Sequence, residues 1–310
     1  MPPDPTPTPR IAVVGSTMID LIAYVDRVPA AGETVIGRRF SQGFGGKGAN
    51  QAVMAARLGA QVAMVACVGD DAFGQQTLDN LVEMGVDTAH VRQVPGTSGI
   101  APIWVEADGS NRIVIVPGAN DELTADAAVS AITALAHVDV VVGQLEVPQP
   151  ATTAAFEAAR RRGAVTILNP APFAPLSTEL LAATDWLVPN EVELEGLVGP
   201  VDPNDDTALE GAVRALGPRL LVTLGAAGAV LVGEGAVVRV PAPSVDAVDS
   251  TGAGDAFIGA FAVGMALGRG VEASIDLGVR CASDSVTRPG TQSSFPDRKR
   301  CTTLLSGATS

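Results

Sequence analysis

The sequence predicts a doubly wound α/β fold: a mostly parallel sheet with helices on both faces, carrying a small β-sheet lid. Three observations predict it. Short apolar runs recur along the chain, stretches with Ala/Leu helical spacing separate them and end in glycine, and two segments break that rhythm with strand patterns of their own. Parallel strands buried on both faces read as continuous apolar runs, and glycine is a preferred helix stop.

In chain order the apolar runs are IAVVG (11–15), QVAMVACVG (61–69), VDVVVGQLE (138–146), AVTILNP (164–170), DWLVPN (185–190) and RLLVTLG (219–225). ANQAVMAARLG, ATTAAFEAARRRG and DTALEGAVRALG supply the intervening helices. ETVIGRRFSQ (33–42) alternates like a strand, and GIAPIWVEADGSNRIVIVPG (99–118) reads as two strands joined by ADGSN. With DLIAYV (20–25) these make a small separate sheet placed as a lid over the site; an edge extension of the main sheet is the alternative. Residues 1–9, rich in proline, read as a flexible tail, 10–297 as the α/β domain with its lid from about 20–44 and 97–118, and 298–310 as a C-terminal helix or tail. Ligands of such a sheet are expected at the carboxyl ends of its strands.

Composition narrows the function. No stretch supplies the roughly 20 uninterrupted apolar residues of a membrane span, and the N-terminus lacks a signal-peptide core, so a cytoplasmic location is expected. Cys67, Cys281 and Cys301 show no CxxC spacing, and His90 and His137 stand alone, which argues against zinc or a disulfide framework. A net charge of −14 opposes nucleic-acid binding. A small phosphate ligand remains compatible with it, because local amides, a lysine or a metal can hold one.

Four motifs carry the chemistry. QGFGGKGANQAV (42–53) formally contains GxGxxG but follows a lid strand instead of opening the first βα turn, and Lys47 is followed by Gly48 where a Walker A loop needs Ser or Thr. What it offers is a helix start bearing Gly46, Lys47 and Asn50, suited to hydroxyl groups and an approaching phosphate. In NEVE, Asn190 is read equally well as a helix cap with Glu193 in the first turn, or as one of a pair holding Mg²⁺ through water. VTLGAAGAVLV (222–232) is strand, glycine turn at 225–228, strand. Finally, in DSTGAGDAF the turn Gly252–Gly254 feeds a helix whose amides attract anions, yet Asp255 follows, where helix capping is the plain structural alternative.

Gly45-Gly46-Lys47-Gly48-Ala49-Asn50, Gln144-Leu145-Glu146, Pro189-Asn190-Glu191-Val192-Glu193 and Asp249-Ser250-Thr251-Gly252-Ala253-Gly254-Asp255 occur in that order. In order and spacing this set resembles the ribokinase, or PfkB, family of sugar kinases, from about Arg10 to Pro296. The resemblance implies one α/β domain with a β-lid that often forms a homodimer contact, and transfer of a phosphoryl group from ATP to a sugar's primary hydroxyl. GFGGKGAN, QLE and VTRPGTQSSFP (286–296) are most similar to the ribose-phosphorylating branch, with the 5-hydroxyl of D-ribose as acceptor. Kinases of fructose or 2-keto-3-deoxygluconate, and a non-catalytic sugar-binding regulator of the same fold, are the alternatives.

The resemblance further implies Asp255 as catalytic base, and the amides of Gly252, Ala253 and Gly254 as an anion hole. It places Met18, Asp20, Gly46, Lys47, Asn50, Glu146 and Asp255 at the sugar, and Asn190, Thr223, Leu224, Gly225, Gly228 and Gly254 at ATP. Asn190 and Glu193 fall to Mg²⁺, and Asp249, Thr251, Ser285, Arg288, Gly290 and Ser294 to K⁺. The chain departs from the family pattern at Met18, where many members carry a sugar-contacting Asn, and in VRCASDSV (279–286), which is more polar than the family's usual alanine-rich helix; Val279 lies near the place of a frequent adenine-contacting Asn, and Asp284 would be costly if buried unpaired.

Overall fold

The computed structural model describes residues 8–233 and 236–307, so most of the tail expected at 1–9 lies outside the described residues. The strands are β1 (Arg10–Val14), β2 (Met18–Tyr24), β3 (Arg39–Gly45), β4 (Gln61–Gly69), β5 (Val86–Val94), β6 (Ile100–Val105), β7 (Asn111–Ile113), β8 (Val140–Gly143), β9 (Val165–Leu168), β10 (Trp186–Leu187), β11 (Arg219–Thr223), β12 (Ala229–Gly233) and β13 (Ala236–Val240). The helices are α1 (Lys47–Arg57), α2 (Ala72–Glu83), α3 (Ala125–Ala134), α4 (Gln149–Arg160), α5 (Thr178–Ala183), α6 (Glu191–Val198), α7 (Asp206–Leu216), α8 (Ala253–Ala266), α9 (Val271–Ser285) and α10 (Arg298–Ser306).

The main sheet runs β13-β12-β11-β10-β9-β8-β1-β4-β5. It is parallel from β11 to β5, with β12 and β13 added antiparallel at one edge. Side chains of β1 alternate between two cores: Ile11 and Val13 join one layer with α1, α8 and α9, while Ala12 and Val14 join the other with α3 and α4. Both faces are therefore buried, which is why IAVVG shows no polar alternation. In alanine-rich α4, the small side chains of buried Ala151, Ala155 and Ala159 allow close approach to the sheet, and buried Phe156 lies against Gly143 of β8.

A second sheet, β3-β2-β6-β7, stands apart from the first. Met18 pairs with Gly45 and Asp20 with Gly43 across the antiparallel β2–β3 ladder, and β6 runs parallel to β2. The strand expected over 33–42 is shifted: β3 begins only at Arg39, and Ile36 is 92% exposed. The ETVIG alternation finds no neighbouring strand, and alternation without a partner leaves the chain in a loop. Among the described residues no helix is long and apolar enough to cross a membrane.

Candidate active site

Chain order reverses beside β1, which has β4 on one side and β8 on the other. Strand ends diverge at such a point and leave a crevice at the carboxyl edge. Ser16 and Thr17 leave β1 there, and Gln144 and Glu146 follow β8. Glu146 accepts hydrogen bonds from the Ser16 hydroxyl and from the Lys47 amide, the latter at 2.9 Å, which ties the start of α1 to the crevice. Gly46 precedes that helix at φ +86, and a Cβ there would lie 2.8 Å from the Met18 amide. Only glycine turns the chain here.

Four carboxylates gather around one lysine. Burial raises the pKa of Asp255, and this outweighs Lys47 and the hydrogen bonds from Asn50 and Gln51. Burial likewise raises Glu146 and Glu193. Asp20 is pushed up to about 6 by burial and then by the charges of Glu146 and Asp255. Lys47 loses hydration too, but Asp255, Glu146 and Glu193 together hold its pKa above the ordinary value. The cluster therefore keeps Lys47 charged.

Asp255 does not cap its own helix. Gly252 is the cap residue, in the left-handed region at φ +75, and Asp255 lies in the first turn of α8. Its two oxygens accept from Asn50 Nδ2 and Gln51 Nε2, each at 2.9 Å. The capping alternative is thereby excluded. The helical ladder of α8 starts with the Ala256 amide bonding to the Gly252 carbonyl, which leaves the Gly254 and Asp255 amides ahead of it. The Ala253 amide bonds to the Ser250 carbonyl at 3.2 Å, so in this state one of the three amides expected in the anion hole is engaged within its own turn.

Behind the Gly252 turn lies a cleft of about 490 Å³ lined by Thr223, Gly225, Gly228, Gly254, Val279 and the 242–247 segment, among others. Leu224, also expected at ATP, has its partly buried side chain packed against the core. Asn190 forms a β-bridge to Thr223 and so borders the same region. Its side chain and that of Glu193 form a complete capping box: Asn190 Oδ1 accepts from the Glu193 amide at 2.8 Å, and Glu193 Oε2 accepts from the Asn190 amide at 2.9 Å. The capping reading thus holds in full. Among the described residues no group of three or more His, Cys, Asp or Glu side chains is arranged to hold a metal.

The six residues expected around K⁺ lie on two segments, 249–251 before α8 and 285–294 at and beyond the end of α9, which hydrogen bonds join. Asp249 accepts from the Thr251 and Gly290 amides at 2.9 and 2.8 Å, and these bonds hold its pKa below the ordinary value against the upward push of burial. The Arg288 amide bonds to the Ser285 carbonyl, and its guanidinium bonds twice to the Ser294 carbonyl at 2.9 and 2.7 Å. Asp284 is buried but not unpaired: Arg288 grips one oxygen and Arg300 the other, the latter at 2.7 Å.

Sequence reading missed Gln51, Gln292, Asn80 and Asn120. Asn120 fastens the small sheet to the crevice, accepting from the Thr17 amide and donating to the Thr17 carbonyl, both at 2.9 Å. For the 242–247 lining, APSVDA offers no local signal, whereas Val279 was marked by its place in the nucleotide region.

A doubly wound sheet with a carboxylate at a glycine-turned helix start, set between a lysine-bearing crevice and an apolar cleft, defines a phosphotransferase acting on a hydroxyl group. The sequence matches the pfkB family carbohydrate kinases over residues 8–298, and the chain belongs to that family. It is 43% identical over 303 residues to a deoxyribokinase of Salmonella typhi, covering 96% of this chain and 98% of the relative. It is 42% identical over 298 residues to a ribokinase of Bacillus subtilis, covering 96% and 99% respectively. Among solved structures, Arabidopsis thaliana ribokinase complexed with ribose and ATP superposes with a TM-score of 0.86 at 32% identity, covering 96% of this chain and 99% of that one.

Proposed function

We propose that this chain transfers the γ-phosphoryl group of ATP to the primary 5-hydroxyl of a pentose, D-ribose in the first instance. Asp255 carries the reading: a buried carboxylate, held by Asn50 and Gln51 of α1, in the first turn of the helix whose start, Ala253 and Gly254, lines the cleft. The hydroxyl oxygen attacks the γ-phosphorus, its proton passes to Asp255, and ADP departs with the electrons of the broken P–O bond. The amides of the 252–254 turn stabilise charge on the transferred group, and the Ala253 amide joins them by releasing Ser250. Lys47 neutralises charge from the opposite side. Asp20, Asn50, Glu146 and the Gly46 turn hold the sugar hydroxyls, and Thr223, Gly225 and Gly228 line the nucleotide.

The divalent and monovalent cations fit the donors present. Glu193, with its pKa raised by burial, and Asn190 would hold Mg²⁺ through water, since their direct hydrogen bonds already close the capping box. Mg²⁺ supplies charge neutralisation on the phosphates when bound. Around Asp249, oxygen donors from Thr251, Ser285, Gly290 and Ser294 suit K⁺, with Arg288 sharing the Ser294 carbonyl. Replacing K⁺ by tetramethylammonium should then lower kcat.

A second reading is 2-deoxy-D-ribose. Met18 is 3% exposed and lies two residues from Asp20 on β2, hence on the same face of the small sheet. An apolar side chain there offers no partner to a hydroxyl and loses nothing when that hydroxyl is missing. The relative named deoxyribokinase is as similar to this chain as the ribokinase of Bacillus subtilis.

One kinetic panel tests both readings: ADP release with ribose, 2-deoxyribose, fructose, 2-keto-3-deoxygluconate and adenosine. Pentoses should give the highest kcat/KM, and Asp255→Ala should reduce it by about 10²–10⁴-fold. Undiminished ADP formation in Asp255→Ala sinks the mechanism, and the ribose to 2-deoxyribose ratio decides between the sugars.

A further inference from the structure

The carboxylate of Asp255 is the meeting point of two strings of buried amides. On one side, Gln144 Nε2 donates to Gln51 Oε1 at 2.6 Å, and Gln51 Nε2 donates to Asp255 Oδ1 at 2.9 Å. On the other, Asn80 Nδ2 donates to Gln292 Oε1 at 3.0 Å, Gln292 Nε2 to Asn50 Oδ1 at 3.0 Å, and Asn50 Nδ2 to Asp255 Oδ2 at 2.9 Å. All five amides are buried. Every one of these bonds points its donor toward Asp255.

That uniform direction has a physical source. A carboxylate only accepts, so the amides touching it must present N–H, and their carbonyls then face outward to accept from the next amide. Each link polarises the one before it, and in a buried setting the chain strengthens cooperatively. Helix α1 supplies Asn50 and Gln51 as consecutive residues, so the base is held from both oxygens by one rigid element. Gln292 lies in the loop between Gly290 and Ser294, which ties that loop to the base through Asn50.

We propose that Gln51 and Gln292 are positioning residues: through these strings they aim the Asp255 carboxylate and keep it ionised for proton acceptance. The inference rests on the reading of Asp255 as base. Other charges face Asp255 as well, namely Lys47 on α1, Asp20 on β2, Glu146 after β8 and Glu193 on α6. None of them is altered when Gln51 or Gln292 is replaced by leucine, so a change in the acid limb of activity reports the amides.

The test is the pH profile of kcat at saturating sugar and ATP for Gln51→Leu, Gln51→Glu and Gln292→Leu. A hydrogen bond to the ionised form lowers an acid's pKa, and its removal raises it. Gln51→Leu should therefore move the acid limb upward by about one pH unit and reduce kcat about tenfold at pH values below the limb. Gln51→Glu sets a second carboxylate against the base and should move the limb further upward. Gln292→Leu, one bond removed, should move it in the same direction by less. A merely structural role would lower the thermal midpoint and leave the limb where it was. If Gln51→Leu fails to fold, Gln292→Leu decides: an unmoved limb overturns the proposal. If Asp255→Ala is inactive while the glutamine variants keep the original limb, the inference alone falls. If Asp255→Ala is active, the base reading falls and takes the inference with it.

Discussion

Asp20 sits among like charges, and its ionisation works against the fold while serving the site. Burial and the carboxylates of Glu146 and Asp255 push its pKa from an ordinary 3.8 to about 6. A folded-state pKa above the unfolded one means that the folded chain holds the proton longer, so stability is lost as pH rises from about 4 through 6 and stays lost above. Asp20→Asn removes that penalty. Its thermal midpoint should exceed that of the unaltered protein at pH 7.5, and the difference should vanish as pH falls toward 4. The same substitution should raise KM for the sugar by about 10–100-fold, since a hydrogen bond to a charged group contributes ~1.5–3 kcal/mol. A midpoint gain that persists at pH 4 would refute the electrostatic cause. Asp20, Lys47, Asn50, Glu146 and Asp255 were legible because each lies in a compact motif or at a strand end. Gln51 and Gln292 were not, because their partners lie 204 and 242 residues away and an amide acquires a role only from what it meets.

At the scale of elements, the start of α8 is a tightly constrained joint. Gly252 adopts φ +75, and a Cβ there would come within 2.7 Å of Thr291 Cγ2. Alanine in this region of backbone costs about 1–2 kcal/mol before any clash is counted. Gly252→Ala should therefore lower the thermal midpoint, and by displacing the turn's amides it should reduce kcat/KM by about 10²–10³-fold. A fall in stability with kcat/KM intact would separate the turn from catalysis. Thr291 follows Gly290, whose amide donates to Asp249, so the segment packed against the turn is tied to Asp249 as well. The inner strands of the main sheet were readable because burial on both faces leaves an unbroken apolar signature, whereas the half-exposed edge strands β5 and β13 carry none and went unread. β3 was misplaced toward the N-terminus because alternation in ETVIG is a local pattern, whereas a strand exists only where a neighbour completes its ladder. At Asn190 and Glu193 the sequence left capping and metal binding level; the capping box, legible only from the two side chains' mutual bonds, establishes the capping role.

At the scale of the whole molecule, two sheets meet at the site, and the smaller is the less enclosed. The inner strands of the main sheet are buried on both faces, whereas the four-stranded small sheet is largely exposed at both edges, β3 and the three-residue β7. Along one face of β2, Met18 and Asp20 give way to Ile22 and Tyr24, with Ile103 and Ile113 in the same row as Ile22. Ile113 is 50% exposed and Phe40 63% exposed, and Val114, Ile115 and Val116 extend the apolar character beyond β7. Exposed apolar edge strands pair with another chain unless they are charged or covered. A second copy meeting the first through these small sheets would cover both edges and shield the sugar side of each site from water. Sedimentation velocity at micromolar concentration should give a dimer, and Ile113→Asp, remote from Asp255, should shift it to monomer. In the monomer KM for the sugar should rise more than kcat falls, because the sheet carrying Asp20 would lose its support while Asp255 stays fixed on α8. A monomeric unaltered protein with full activity would show that the small sheet closes the site without a partner.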